Sequence, residues 1–194
     1  MGKLTHATVT LVMEMDLAPA LAQLVDAARA AAGEPPLDAD KRAAVMQRAL
    51  GVMGQKAVGA IEARRAAFAQ AQPDGVTPGN LEAQLHGTMV TSTTTFELAD
   101  LALLPRVVTL GDGGEATRPL EAFTVTRKPG QVVVTGASPA LGAPKGARGQ
   151  LSFTLETTAA VKQHNASSAE GNRLTWSAAL DAAPFQVRAT YARS

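Results

Sequence analysis

The chain contains no cysteine, which excludes disulfide bridges, thiolate metal sites and a cysteine nucleophile but leaves the compartment open. Aromatic side chains are scarce: one Trp, one Tyr and five Phe, 4% of 194 residues. Hydrophobic residues still make up 46%, so the core has to be built from Ala, Val, Leu and Met, which demands close packing. Neither sign of charge dominates. A formal net charge of +1 with 18% charged residues excludes an electrostatic nucleic-acid binder, which would carry a clustered basic face. The pairs Lys41-Arg42 and Arg64-Arg65 fall on helical segments as solvated faces. No run of about eighteen apolar residues occurs, so no helix is expected to span a membrane. Residues Met1 to Thr5 lack the basic region and apolar run of a signal peptide. A strand follows almost at once, so the favoured expectation is a processed chain whose signal segment has been removed, with a cytoplasmic protein as the alternative.

What is present is an ordered change of periodicity along one expected domain, residues 1–194. Val9, Leu11, Met13 and Met15 alternate on one face of a strand over Thr8 to Asp16. Residues 17–72 read as a helical insertion. Leu17, Leu21, Leu24, Val25 and Ala28 have helical spacing, Gly33 stops that helix, and Pro35-Pro36 separates it from the next. Asp38 or Asp40 caps a second helical region reaching about Gln72, with Val45, Met46, Val52, Met53, Ile61 and Phe68 facing inward and a kink, or a division into two helices, expected near Gly51 to Gly54.

After Pro73-Asp74-Gly75 the chain turns to β structure. A threonine-rich strand or hairpin is expected over Leu81 to Phe96, then a short helix over Leu98 to Leu104 ended by Pro105. Short strands follow at Val107 to Leu110, before the Gly111 to Gly114 turn, and at Ala122 to Arg127, which pairs with Gln131 to Thr135 across Lys128-Pro129-Gly130. Residues 136–149, loaded with Ala, Pro and Gly, read as a flexible loop. Gly149 to Ser194 then alternates as a meander around Trp176. Strand, helices, then strands place the chain in the α+β class: one antiparallel sheet system with an inserted N-terminal helical hairpin.

No motif carries chemistry. Val132 to Gly142 resembles the Thr-Gly turn of short-chain dehydrogenases, but Pro139 and the following Gly-Ala-Pro-Lys-Gly supply no helix to hold a pyrophosphate. The single tyrosine, Tyr191, has no lysine four residues on. His6, His86 and His164 lie far apart, without a second ligand at metal spacing. Glu14 and Asp16 share a strand face and are the one candidate catalytic pair, against the plainer reading of a wet face. Asn165-Ala-Ser167 fits a glycosylation acceptor. Trp176 is either a core anchor or the wall of an apolar pocket between sheet and helices, and Met13, Met15, Met46, Met53 and Met89 share that ambiguity. The residues thus assign no catalytic, cofactor or metal role, and no ligand-binding side chain is singled out.

Gly171, Asn172, Leu174, Thr175 and Trp176, followed by Val187, Ala189 and Tyr191, resemble the end of LppM-type bacterial lipoprotein domains. Thr93 to Leu101 is similar to a strand-and-turn segment of such proteins. The resemblance implies a non-enzymatic envelope domain facing the periplasm or cell surface, held by an N-terminal lipid on a cysteine that this chain does not contain. Its implied partner is a lipid or another envelope protein, and it implies no cofactor. The competing expectation is a structural or assembly subunit whose helices, residues 18–72, form the contact surface. The threonine strand Thr91 to Thr95 is the expected exposed edge for a partner strand.

Overall fold

The computed structural model describes residues 5–110, 116–118, 120–138, 148–180, 182 and 184–192, without the side chains of residues 53–63, 116 and 117. Strand β1 (Ala7–Asp16) organises the fold. Its alternation sets Ala7, Val9, Leu11, Met13 and Met15 on one face, and it pairs antiparallel with β3 (Met89–Leu98) on one side and β8 (Arg148–Thr157) on the other. Beyond β3 lies β2 (Val76–His86); beyond β8 lie β11 (Arg173–Ala179) and β10 (Ser168–Glu170), giving a six-stranded sheet ordered β10-β11-β8-β1-β3-β2.

A second sheet is ordered β6 (Thr124–Lys128), β7 (Gln131–Ala137), β12 (Gln186–Ala192), β9 (Val161–His164). A two-stranded ladder joins β4 (Thr109–Leu110) and β5 (Ala116–Thr117). Helices α1 (Ala18–Ala31) and α2 (Ala39–Ala71) are inserted between β1 and β2. The fold is therefore α+β with antiparallel sheets.

Strand length explains the layering. Ten extended residues span about 33 Å, more than the small second sheet covers, so the apolar face of the large sheet is shared. At the Ala7 end, Val9, Phe96, Phe153, Leu155, Leu174 and Trp176 pack against Val132, Val134, Val187, Ala189 and Tyr191 of the second sheet. The far end, near Asp16, is covered by the helices: Leu17, Leu21 and Leu50 are buried, with Met15, Met46, Leu85 and Val90 packed on them. Helix α2 bridges the two clusters, because Phe68 near its C-terminus enters the larger one and sits 5.2 Å from Phe96, ring centre to ring centre.

The opposite face of the large sheet is polar. Thr175, Thr154, Thr10 and Thr95 stand abreast on adjacent strands, with hydroxyls 3.0 Å apart for Thr154 and Thr175 and 3.4 Å apart for Thr10 and Thr95.

Several sequence expectations need correction. Thr91 to Thr95 is not an edge: β3 is flanked by β1 and β2, with Thr91, Thr93 and Thr95 on the polar face and Thr94 on the face of Leu11 and Phe96. The second helix is one element through Gly51 and Gly54; isolated glycines cost about 1 kcal/mol each, too little to end a helix held by packing. Val45 and Val52 are 41% and 51% exposed, and Leu24 is 66% exposed. Among the described side chains, α2 turns Met46, Leu50 and Phe68 toward the sheet, and Val45 and Val52 lie nearly opposite that face. Met53 and Ile61 have side chains outside the described residues, as has the whole Gly111 to Gly114 turn.

The short helix is a 3₁₀ segment, Leu101–Arg106, that contains Pro105 and is capped by the Asp100 carboxylate accepting from Ala102 N at 2.9 Å. The expected loop 136–149 is shorter at both ends, since Gly136 and Ala137 belong to β7 and Arg148 and Gly149 to β8; residues 139–147 lie outside the description. The C-terminal meander is divided between sheets, with β8, β10 and β11 in one and β9 and β12 in the other. Alternation reports that a strand has one buried face, and it carries no information about which sheet supplies the strand's neighbours.

Candidate apolar groove

A concavity with an apolar lining lies at the Asp16 end, between the first half of α2 and the β2–β3 hairpin, with a volume of about 510 Å³. Helix α2 contributes Ala43, Met46, Gln47, Leu50 and Gly51, and the hairpin contributes Leu85, Gly87 and Thr88. The helical residues recur at i, i+3, i+4, i+7 and i+8, one stripe of an α-helix. Gly87, at φ +62°, occupies the first position of a two-residue turn that closes His86 onto Met89, the position where a type II′ hairpin requires glycine.

Local hydrogen bonds hold the groove's walls. The β2–β3 turn is clamped to the β1–α1 junction, because Leu17 N donates to Thr88 O at 2.9 Å and Ala18 N donates to the Asp16 carboxylate at 3.0 Å. The two helices are tied by Arg42 Nη2 on Asp26 Oδ1 at 2.6 Å, and α2 starts from Asp38, which accepts from Lys41 N at 2.9 Å. Asp16 is held below the usual carboxylate range by the Ala18 backbone N–H first, then by a side-chain bond with Thr88 and by the Arg148 charge. A depressed carboxylate contributes stability above its unfolded pKa, and that contribution is lost as pH falls through the lower folded value. Asp16→Asn is therefore expected to flatten the acid limb of stability below about pH 4, read by urea denaturation at successive pH values. An unchanged limb would remove Asp16 as the clamp.

The candidate catalytic groups do not converge. Glu14 is exposed between Thr91 and Gln150, and Asp16 is engaged at the helix junction. His6 precedes β1 at the opposite end of the sheet from His86, whose Nε2 lies 3.2 Å from Gln84 Oε1; His164 is in the second sheet, where its Nδ1 accepts from Ala166 N. Among the described residues no three His, Asp or Glu side chains gather as a metal-ligand set. The strand leading to the dehydrogenase-like turn, β7, runs antiparallel to both neighbours, which is not the parallel βαβ setting of a dinucleotide site.

Trp176 is core: it is 2% exposed and meets Phe153 at 5.7 Å with the rings tilted by 43°, on the other side of β1 from the β2–β3 hairpin. Of the methionines, Met46 lines the groove and Met15 packs beneath it. Leu50 and Leu85 carry the groove and went unread in the sequence. Their signals were the i+4 spacing of Met46 and Leu50 and the Gly87-Thr88 turn, which places Leu85 opposite Val90.

Asn165 has a structural role. Its Oδ1 accepts from Trp176 Nε1 and from Arg188 N, both at 2.7 Å, and its Nδ2 donates to Gln186 O at 2.9 Å. One amide thus pins the tryptophan strand of one sheet to β12 of the other. Asn165→Ala is expected to cost about 1–2 kcal/mol, as the indole N–H loses its acceptor; a chemical-denaturation midpoint equal to that of the parent would contradict this.

The architecture defines a two-sheet α+β protein with an apolar groove under an inserted helical hairpin. The chain matches no protein-family model, no curated protein and no solved structure. Among the described residues no helix is long and apolar enough to cross a membrane.

Proposed function

We propose that this protein is a non-enzymatic binding domain of a bacterial cell envelope, LppM-like in its C-terminal strands, that receives an apolar ligand in the groove between α2 and the β2–β3 hairpin. The observation that carries the reading is the groove itself, about 510 Å³ and lined by Met46, Leu50 and Leu85, with no ionisable side chain among the described lining residues. That volume lies within the range of small-molecule clefts, about 300–1,000 Å³. Methionine at such a surface adapts its shape to the occupant. An anchor preceding β1 would join the chain at the Ala7 end of the large sheet, about 30 Å from the groove along the strands, leaving the groove to face the periplasm or exterior.

The test is fluorescence titration of the purified chain with 1-N-phenylnaphthylamine, an uncharged apolar dye. Saturable binding abolished by Leu50→Gln supports the reading, provided the circular dichroism of the variant matches the parent. No saturable binding would sink it.

A second reading is supported by Leu24, Val45 and Val52, which leave apolar surface on the helical hairpin: the helices form the contact surface of an assembly subunit. Sedimentation velocity decides this one. A mass that rises with concentration and reverts to monomer in Val45→Lys favours assembly, and a monomer at all concentrations eliminates it.

A further inference from the structure

We infer that the groove takes one linear hydrocarbon chain, alkyl or isoprenoid, of a monomeric amphiphile, and leaves the head group in water unread; this rests on the binding reading above. Shape is the first argument. The lining residues of α2 run from Ala43 to Gly51, about 12 Å along the helix axis at 1.5 Å per residue, with the hairpin as the second wall. The result is a trough one helix stripe wide, suited to an extended chain.

Charge is the second argument. Among the described residues no lining side chain is ionisable. Asp26 and Arg42, which tie α1 to α2, are paired with each other, and Asp16 is engaged by Ala18 N with Arg148 opposite it in the register. An anionic or cationic head drawn into the trough would therefore be desolvated without a partner, which is strongly unfavourable. The backbone carbonyl of Thr88, at the rim, is already taken by Leu17 N.

Gly51 supplies the third. A Cβ built there meets nothing within 4 Å, although the residue is inside a helix, where glycine is disfavoured relative to alanine. Gly51 is itself a lining residue of the trough and a side chain there has open space, so Gly51→Leu is expected to obstruct the site while favouring the helix.

The experiment displaces 1-N-phenylnaphthylamine from the full chain with octanol, decanol, dodecanol and, at pH 8, dodecanoate. Affinity is expected to rise about three- to fourfold per methylene, the increment for burying a CH₂, and dodecanol and dodecanoate are expected to agree within about threefold. Gly51→Leu should lose both dye and alkanol while its melting temperature stays equal or rises. Tenfold or greater discrimination between the two head groups, or affinity independent of chain length, overturns the inference while the binding reading survives. Absence of dye binding in the parent chain removes both. Co-sedimentation with phosphatidylglycerol vesicles that Gly51→Leu abolishes would also overturn it, since the occupant would then be a membrane surface.

Discussion

Trp176→Ala is expected to lower the stability of the protein by about 3–5 kcal/mol, the usual cost of emptying a large aromatic site in a core. Three features of the site put it in that range. The side chain is 2% exposed, it contacts Phe153 at 5.7 Å, and Phe153 in turn contacts Phe123 at 5.0 Å, so the three rings form a continuous row of tilted contacts. The chain has few other large side chains to fill a void there. Removing the indole also frees Asn165 Oδ1, which would retain only Arg188 N. Against a total stability of about 5–15 kcal/mol for a domain, such a loss leaves a marginal fold. Urea denaturation followed by far-UV circular dichroism measures it, and Trp176→Phe should lose distinctly less. A Trp176→Ala variant with parental stability would contradict the core assignment.

Gly149→Ala is expected to be nearly as damaging, although it adds a single methyl group. A Cβ at Gly149 would stand 1.9 Å from the backbone oxygen of Glu14, one pair from the end of the β1–β8 ladder. Neither partner can swing aside as a flexible side chain would, because both atoms belong to the β1–β8 ladder, where Gly149 faces Met15. The ladder has to open, at a cost of about 3 kcal/mol or more. The damage should be directional: Met15 packs on Leu17, Leu21 and Leu50, so the groove should weaken before the tryptophan end does. Thermal denaturation and dye titration of the same sample read both effects. Gly51→Ala, with nothing near its Cβ, is the control and should gain up to about 1 kcal/mol from helix propensity. Equal melting temperatures for Gly149→Ala and the parent would mean that the strands do not approach as described.

The groove shows where sequence reasoning loses its hold. Met46 was legible as an inward residue, and Phe68 likewise, because each repeats at helical spacing with its neighbours. Val45 and Val52 satisfied the same apolar criterion and are exposed. Val45 and Val52 lie nearly opposite the face that α2 turns to the sheet, and which face is turned inward is set by the sheet, not by the helix. Asn165 was legible only as a glycosylation pattern, since its three hydrogen bonds reach Trp176, Gln186 and Arg188, residues brought beside it by the crossing between sheets.

By itself the sequence determined the class and much of the element order: an alternating first strand, two helices divided at Gly33 and Pro35-Pro36, then strands to the C-terminus, with no constellation of catalytic groups in the residue pattern. Those are local properties, set by side-chain periodicity and by residues that start and stop elements. Tertiary structure alone decided that the last strands divide between two sheets, that β3 is interior, and that long strands give one end to a second sheet and the other to helices. Each depends on which strand hydrogen-bonds to which and on how much of a face is left uncovered. Residues far apart in the chain set those quantities jointly, so no window of sequence contains them.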